Sequence, residues 1–258
     1  MHFNELDKNL RIYETLNDTF VLPGIYMVAR IDGRTFTRLT RDVHKFEAPY
    51  DERFRDCMIG TVQHLLDCGF RVVFGYTQSD EISLLFHIDE NGFARKVRKY
   101  TSVLAGEASA KFSLLLGDVG AFDCRISQLP TLDLVLDYFR WRSEDAHRNA
   151  LNSHCYWTLR KQDHTAKQAT QTLSGLSVAE KNELLFQRAN VNFNDLPAWQ
   201  RRGIGLYKQK ISIQGKNPIN DEFTDATRRQ TKVDLELPLK EEFTSMLRKL
   251  ILHSECEI

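Results

Sequence analysis

One stretch decides the fold: GIYMVARIDGRTF, residues 24–36. Its first eight residues form a β-branched and aromatic run entered through Pro23, and such a run predicts a buried strand. The strand ends at Asp32-Gly33, which places a carboxylate at the end of a sheet. A strand that ends in Asp-Gly is more often an ordinary turn. A chemical site at Asp32 therefore requires a second functional group from elsewhere in the chain.

The chain that follows this strand predicts a helix and then a hairpin. Apolar residues recur at helical spacing over residues 51–68, with an aspartate placed as N-cap and a glycine as the stop. Residues 70–76 and 82–86 are strand-like runs joined by TQSDE, a length that suits a hairpin connection. The hairpin turn, or the start of its second strand, carries Asp80 and Glu81.

The remaining elements complete a recognisable order. Residues 94–116 predict a long helix and residues 121–129 another strand. The sequence pattern then changes, and residues 131–162 are predicted to be mostly helical. The chain beyond residue 211 is polar and predicted to be irregular, until a short helix over residues 239–252.

The order β-α-β-β-α-β predicts an α+β protein with a ferredoxin-type antiparallel sheet and helices on one face. The other face of the sheet is expected to remain open for a ligand. Residues 1–135 are predicted to form the catalytic region. Residues 136–258 are predicted to form a helical and tail region packed on it, so that the chain is one structural unit with a C-terminal helical extension.

Composition limits the class of protein. With 258 residues, 42% of them hydrophobic, the chain can bury a large core, as cytosolic enzymes do. Lys plus Arg and Asp plus Glu number 35 each, so nucleic-acid contacts must come from local basic patches such as residues 95–99, 201–210 and 228–232. The five cysteines include no C-x-x-C pair, which argues against a disulfide framework or a structural zinc site.

The expected location is the cytoplasm, with no membrane partner. The longest apolar stretches, residues 24–31 and 132–136, are far shorter than the roughly 20 residues needed to span a bilayer. The charged start of the chain lacks the basic, apolar and small-residue order of a signal peptide.

Two carboxylate segments on neighbouring strands suit phosphoryl transfer with two magnesium ions. Mg²⁺ takes oxygen ligands and is usually held by one or two carboxylates plus substrate phosphates. Two such ions activate the attacking hydroxyl and stabilise the leaving pyrophosphate. Asp32 and Asp80 are expected to bridge the ions, with the carbonyl of Gly33 as a further ligand. Glu81 is the third candidate catalytic residue, although adjacent strand residues point to opposite faces, so a turn would have to redirect its side chain towards the metal ions.

A nucleotide is expected to bind beside these carboxylates. The amides and hydroxyls of residues 33–37 would face phosphate, and Phe36 would pack against base or sugar. The basic start of the next helix, with Arg95, Lys96 and Lys99, offers cations and free amide donors to a triphosphate.

Each signal has an ordinary explanation when taken alone. An Asp-Glu pair at a hairpin is usually solvated, and a basic cluster is usually an exposed helix face. His147, His154 and Cys155 share a predicted helix, but the H-E-x-x-H pattern of a zinc site is absent, so packing roles are favoured. Neither G-x-S-x-G nor G-x-x-x-x-G-K-[ST] occurs. The joint placement of the signals, rather than any single one, favours a nucleotidyltransferase.

Five motifs in order carry a resemblance to a known family. They are RIDGRTF (30–36), GYTQSDEIS (75–83), AFDCR (121–125), WRSEDAHRN (141–149) and KNE (181–183). From about residue 13 to about residue 208 the chain resembles the tRNA-His guanylyltransferases and, more closely, their tRNA-repairing relatives, the 3′-5′ RNA polymerases.

The resemblance implies a polymerase-palm-like catalytic domain in a homotetramer that acts on tRNA with ATP and GTP or another NTP. A tRNA 5′-monophosphate would be activated first, and the 3′-hydroxyl of an incoming NTP would then attack the activated end. The resemblance implies two Mg²⁺ ions at Asp32, Gly33 and Asp80. The residues that it implies at the nucleotide are Asp32, Gly33, Arg34, Thr35, Phe36, Thr37, Ser79 and Asp80. The residues that match triphosphate or tRNA contacts are Arg30, Lys96, Lys99, Asn149 and Lys181.

Two departures bear on the subtype. Guanylyltransferases of the family carry a His-Ile-Asn-Asn motif where this chain has HRNA at residues 147–150. They carry Lys-Pro-Asn-Asp where this chain has APYD at residues 48–51, which removes a cation. The departures favour templated repair of 5′-truncated tRNA over addition of G at position −1 of tRNA-His.

Two other functions remain open from the sequence. A nucleotide cyclase on a similar sheet would convert NTP without RNA. A non-catalytic tRNA-binding protein would keep the fold but not the acidic residues, and all three of these are present. Basic and aromatic residues alternate over residues 199–208, which suits backbone contacts and stacking on RNA, or equally a packed tryptophan beside a solvated stretch.

Overall fold

A single antiparallel sheet organises the protein, whose computed structural model describes residues 2–216 and 223–255. The six strands lie in the order β4-β1-β3-β2-β5-β6. Their bounds are Tyr26–Gly33 (β1), Val72–Gln78 (β2), Glu81–Phe86 (β3), Phe122–Leu129 (β4), Ile204–Lys216 (β5) and Phe223–Asp234 (β6).

Helices make up most of the rest of the described chain. They are Phe3–Thr15 (α1), Phe36–Arg38 (α2), Glu52–Leu65 (α3), Val97–Leu116 (α4), Leu132–Lys161 (α5), Ala166–Leu173 (α6), Val178–Ala189 (α7), Ala198–Arg202 (α8) and Lys240–Glu255 (α9). Shorter turns of π- and 3₁₀-helix are Leu39–Val43, Gly92–Arg95 and Phe193–Asp195. None of the helices in the described ranges is long and apolar enough to cross a membrane.

The predicted order of elements and the α+β class are confirmed. β1, α3, β2, β3, α4 and β4 follow one another as the β-α-β-β-α-β pattern requires. Local caps explain several helix starts: Asp51 accepts a hydrogen bond from the amide of Arg53 at the start of α3, and Thr131 accepts one from the amide of Leu134 at the start of α5.

Both faces of the sheet are covered, so the prediction that one face stays open is wrong. Met27, Ala29 and Ile31 of β1 belong to the core beneath α3 and α4. Val28 points the other way, into a second core in which Phe139 of α5 and other residues of α5 and α9 pack. The apolar stripes of α5 and α9 need a surface to bury against, and the second sheet face provides it. A ligand must therefore bind at an end of the sheet.

The prediction of an irregular chain beyond residue 211 is also wrong over the described part. β5 and β6 pair in continuous register from Gly205 with Asp234 to Lys216 with Phe223. Only Ile204–Tyr207 of β5 also pairs with β2. Beyond Tyr207, the described residues of β5 and β6 pair only with each other, so their sequences need no alternation of apolar and polar residues. The predicted regions 1–135 and 136–258 thus share one sheet. Cys256 lies outside the described residues.

Candidate active site

The hairpin turn between β2 and β3 is locked to the end of β1. Gln78 pairs with Glu81, so the turn consists of Ser79 and Asp80 alone. The amide of Gly33 donates to the carbonyl of Asp80 over 3.0 Å. A Cβ built on Gly33 would lie 2.9 Å from the Cβ of Asp80, closer than real Cβ contacts. Glycine is therefore required here for close approach of the two segments.

Three carboxylates form a row across the sheet at this end. Asp32 lies opposite Glu81 on β3 and opposite Asp123 on β4. Arg125 stands beside the row, with its guanidinium 3.9 Å from Asp32 and 3.3 Å from Asp123. Directly opposed like charges repel, and Arg125 offsets part of this repulsion at Asp32 and Asp123.

Burial makes the ionised form of Asp80 costly. It raises the pKa of Asp80, and the negative charge of Asp32 raises it further, while a hydrogen bond from the Ser79 hydroxyl acts in the opposite direction. A bound cation would relieve both effects. Asp32, Asp80 and the Gly33 carbonyl are all oxygen donors, as Mg²⁺ prefers, and two carboxylates are enough for that ion. The residues present thus fit magnesium.

Glu81 occupies a different environment from Asp80. Its carboxylate lies 2.5 Å from the Arg30 guanidinium, and Nη1 of Arg142 donates to both of its oxygens over 3.0 Å. Burial raises the pKa of Glu81, whereas Arg142 and Arg30 oppose that change. A carboxylate held by two guanidinium groups is poorly placed to coordinate a metal ion. The geometry favours a structural role for Glu81.

Two adjoining cavities form a cleft around the Asp80 turn. The larger, about 460 Å³, has a size suited to a nucleoside or nucleotide. Its walls include residues 36, 37, 40, 41, 45–51 and 77–80, together with Trp157 and Trp199. The smaller, about 240 Å³, contains the carboxylates. Its lining includes Asp32, Asp80, Glu81, Arg142, Asp145 and Asn149. Both cavities share Pro49, Tyr50, Gln78, Ser79, Asp80 and Ser153.

Half of the predicted site residues, seven of fourteen, line this cleft. Thr37 and Ser79 line the larger cavity, and Asn149 lines the smaller. Arg34 and Thr35 are exposed in the turn after β1. Phe36 lines the larger cavity but is 3% exposed and packs among the phenylalanines of the core. Its ring supports the wall rather than offering a free stacking face.

Lys96 and Lys99 are not brought to the carboxylates. The start of α4 is bound to the chain before β1, through the amide of Val97 and the carbonyl of Thr19. The far end of α4 leads to Gly120, where a Cβ would lie 3.3 Å from the Phe36 ring. The helix start therefore lies at the opposite end of the sheet from Asp32.

The side chains at that end have local partners. Lys96 pairs with Asp18 over 2.7 Å, and Lys99 lies over the Phe93 ring. Arg95 is buried, and its guanidinium donates to backbone carbonyls, including that of Glu90. Lys181 is on α7, outside both cavities.

Packing roles were predicted for His147, His154 and Cys155, and the structure places all three at one buried cluster. His147 and His154 pack edge-on against Phe193. Burial lowers the pKa of His154 to about 4, as expected for a neutral packing residue.

Sequence reasoning missed several residues of the cleft. Tyr50, Gln78 and Trp157 were not chosen as site residues, although Gln78 lies inside the motif at residues 75–83 and Tyr50 inside APYD at residues 48–51. Arg142 and Asp145 were inside a recognised motif, and their spacing of three places both on one helix face. That spacing was the available signal for a buried ion pair.

Comparison with known proteins gives a consistent family. The tRNAHis guanylyltransferase family model matches residues 7–130, and the model of the Thg1 C-terminal domain matches residues 133–249. A probable tRNA(His) guanylyltransferase of Drosophila melanogaster is 32% identical over 209 residues, which are 78% of this chain and 73% of that protein. A mouse protein of the same name is 31% identical over 217 residues, which are 80% of this chain and 71% of the mouse protein.

Solved structures agree. The tRNA(His) guanylyltransferase of Saccharomyces cerevisiae superposes with a TM-score of 0.69 at 25% identity, covering 76% of this chain and 91% of that one. A bacterial tRNA(His) guanylyltransferase (Thg1)-like protein in complex with ATP superposes with a TM-score of 0.75 at 25% identity. That match covers 95% of this chain and 99% of the bacterial one.

Proposed function

Because the chain belongs to the tRNA(His) guanylyltransferase family, we propose that it is a magnesium-dependent enzyme that adds nucleotides in the 3′-5′ direction to tRNA 5′ ends. Its principal substrates in this proposal are 5′-truncated tRNAs, which it repairs against a template. Family membership itself makes the chain a nucleotidyltransferase that acts on tRNA 5′ ends. The metal, the direction and the preference for truncated tRNA belong to the proposal.

One observation carries the chemistry: the Asp80 turn stands between the two cavities and is bonded to Gly33, next to Asp32. Asp32, Asp80 and the carbonyl of Gly33 would hold two Mg²⁺ ions, which supply activation of the attacking hydroxyl and neutralisation of the leaving pyrophosphate. Thr37 lines the larger cavity, and its hydroxyl can donate to phosphate, whereas the Ser79 hydroxyl already donates to Asp80. The two cavities can hold a nucleotide and the RNA end on opposite sides of the carboxylates.

The lining of the larger cavity supports the repair assignment. Ala48 and Pro49 are part of that lining. By the resemblance described above, Ala48 stands where guanylyltransferases of the family carry a lysine. The absence of that cation leaves the pocket without one of the charges expected for G addition to tRNA-His. The bacterial Thg1-like protein also matches this chain over more of its length than the yeast enzyme does.

Addition of G at position −1 of tRNA-His is the second candidate. The observation in its favour is the name shared by the fly and mouse relatives, both called probable tRNA(His) guanylyltransferase. A non-catalytic RNA-binding role, the third possibility, is disfavoured because Asp32 and Asp80 are both present and adjoin an open cavity.

The tRNA contacts extend beyond the cleft of one chain in this proposal. Lys96, Lys99 and Lys181 lie outside both cavities, so their phosphate contacts would be made to more distant parts of the RNA or within an oligomer. A homotetramer is supported by α1, which has no buried residue and exposes Phe3, Leu10 and Tyr13.

The deciding experiment measures incorporation of labelled GTP into 5′-monophosphorylated tRNA with Mg²⁺ and ATP. Intact tRNA-His is compared with tRNAs that lack their first nucleotide and with variants of the templating base. Addition mainly to truncated tRNA, following the opposite base, is expected. Addition mainly to intact tRNA-His regardless of that base would establish the guanylyltransferase instead. Cyclic product from NTP alone would indicate a nucleotide cyclase.

A further inference from the structure

A buried arginine connects the long helix α5 to the hairpin that carries Asp80. Only 4% of the Arg142 side chain is exposed. Its Nη1 donates to both oxygens of Glu81 over 3.0 Å, and its Nη2 donates to Asp145 over 2.9 Å. The ring of Trp141 covers the guanidinium, with the ring centroid 3.9 Å from Cζ. The guanidinium is therefore held in one orientation.

The residue that Arg142 binds is next to both candidate metal ligands. Glu81 follows Asp80 directly in the chain, and it pairs with Asp32 in the ladder between β3 and β1. A displacement of the Glu81 side chain would therefore be transmitted to the turn on one side and to the end of β1 on the other.

The two candidate ligands need such an anchor, because like charges repel. The turn that carries Asp80 has two residues, and the hydrogen bond donated by the Gly33 amide restrains only the backbone of that turn. Arg142 adds a restraint from a helix of 30 residues that packs against the sheet. Arg30 supplies a second cation on Glu81, from β1 itself.

We infer that Arg142 is a positioning residue that holds the Asp80 turn at a fixed place relative to Asp32 through Glu81. This inference rests on the proposed function, because it takes the two aspartates as metal ligands. Arg142 does not touch the metal or the nucleotide in this scheme. Its part is to keep the two carboxylates in the geometry that metal binding and the reaction require.

The effect on activity follows from the sensitivity of catalysis to geometry. Loss of a group that orients a metal ligand typically lowers metal affinity or activity about 10- to 100-fold. A misplacement of about 1 Å at the reacting centre lowers the rate about 100-fold. Since Nη1 and Nη2 of Arg142 already donate to Glu81 and Asp145, kcat is expected to fall while KM for NTP stays within about threefold.

The test compares Arg142→Lys and Arg142→Gln with a control on the same helix, Arg140→Gln. Arg140 is about half exposed and pairs with Glu144 one turn away, so its loss should leave the carboxylates undisturbed. Mn²⁺ binding to each protein is measured without substrate by electron paramagnetic resonance, beside kcat, KM and circular dichroism. Arg142→Gln is expected to weaken Mn²⁺ binding at least tenfold, with Arg142→Lys intermediate and the control unchanged.

A second variant covers the case in which Arg142→Gln does not fold. Glu81→Gln keeps the shape of the side chain and removes its charge, and it should reproduce the losses in Mn²⁺ affinity and kcat. If both substitutions act by breaking the ion pair between Arg142 and Glu81, the double variant Arg142→Lys, Glu81→Gln should have a Mn²⁺ affinity and a kcat little lower than those of the more impaired single variant.

The outcomes separate the two proposals. A wild-type protein that neither binds Mn²⁺ nor adds nucleotides to tRNA would overturn the proposed function. An active wild type with folded Arg142→Lys and Glu81→Gln variants of unchanged Mn²⁺ affinity and kcat would overturn the positioning role alone. Additive losses in the double variant would also contradict it.

Discussion

The amide of Gly33 and the carbonyl of Asp80 are joined by a hydrogen bond of 3.0 Å. This bond connects the last residue of β1 to the two-residue turn between β2 and β3. It brings Asp32 and Asp80 to one place although 47 residues of chain separate them (residues 33 to 79). The consequences of this junction can be measured.

Gly33→Ala should destabilise the protein and reduce activity. The added Cβ would meet the Phe36 ring at 2.7 Å and the Cβ of Asp80 at 2.9 Å, and both neighbours are constrained. Overpacking of this kind costs about 1–3 kcal/mol. Thermal unfolding is the measurement. Gly106→Ala in the exposed part of α4 is the control, because nothing lies within 4 Å of its Cβ, and it should raise stability by up to about 1 kcal/mol.

Asp32→Asn and Asp80→Asn should abolish nucleotide addition without unfolding the protein. Loss of a carboxylate that holds the metal removes several kcal/mol of charge stabilisation, which corresponds to a decrease in rate of about 10³-fold or more. The melting temperature should stay the same or rise, because the repulsion between the two carboxylates is lost. Asp133→Asn, at an exposed pair with Arg248, is the control. An Asp32→Asn enzyme of full activity would disprove the site.

Ala48→Lys tests whether one cation in the larger cavity decides the subtype. The new ammonium would reach the pocket that we assign to the nucleotide, and a hydrogen bond to phosphate from a charged donor is worth about 1.5 kcal/mol or more. KM for NTP should fall about tenfold, and the ratio of addition on intact tRNA-His to addition on truncated tRNA should rise. Ala189→Lys, on an exposed end of α7, should change neither quantity.

The stability of the protein should depend on pH through His154. Burial lowers its folded-state pKa to about 4, below the unfolded value near 6.5. The unfolded chain thus takes up a proton first, so stability is full above pH 6.5 and falls as the pH drops from 6.5 towards 4. Urea unfolding between pH 7.5 and 4.5 is the measurement. His154→Gln should show a shallower decline, and equal slopes for both proteins would contradict this assignment.

The exposed apolar face of α1 should be needed for assembly. Phe3 is 78% exposed and Leu10 is 58% exposed in a single chain. Phe3→Asp combined with Leu10→Asp should reduce the mass measured by light scattering from that of four chains of 30.0 kDa to that of a smaller species. Lys8→Asp on the same helix is the charge control. A wild-type protein that is monomeric would contradict the tetramer directly.

Much of the fold was predictable because its signals are local. The β-branched and aromatic run of β1, the N-cap at Asp51 and the hairpin connection around Ser79-Asp80 each involve residues within a few positions of one another. The same dependence on local signals explains why the part of the β5–β6 hairpin beyond residue 211 was not predicted. In the described residues of that part, each strand pairs only with the other, so its sequence need not show the alternation of apolar and polar residues from which strands are predicted.

The amino-acid sequence alone was enough to predict the order of elements and the family, and to place Asp32 at the end of a strand and Asp80 at a hairpin connection. Only the tertiary structure decided that Glu81 is bound by Arg142, 61 residues away, and that the start of α4, with Lys96, lies at the far end of the sheet. The physical reason is distance along the chain. Helix and strand periodicity reflect neighbours within one or two turns, whereas ion pairs and covered sheet faces depend on how whole helices pack.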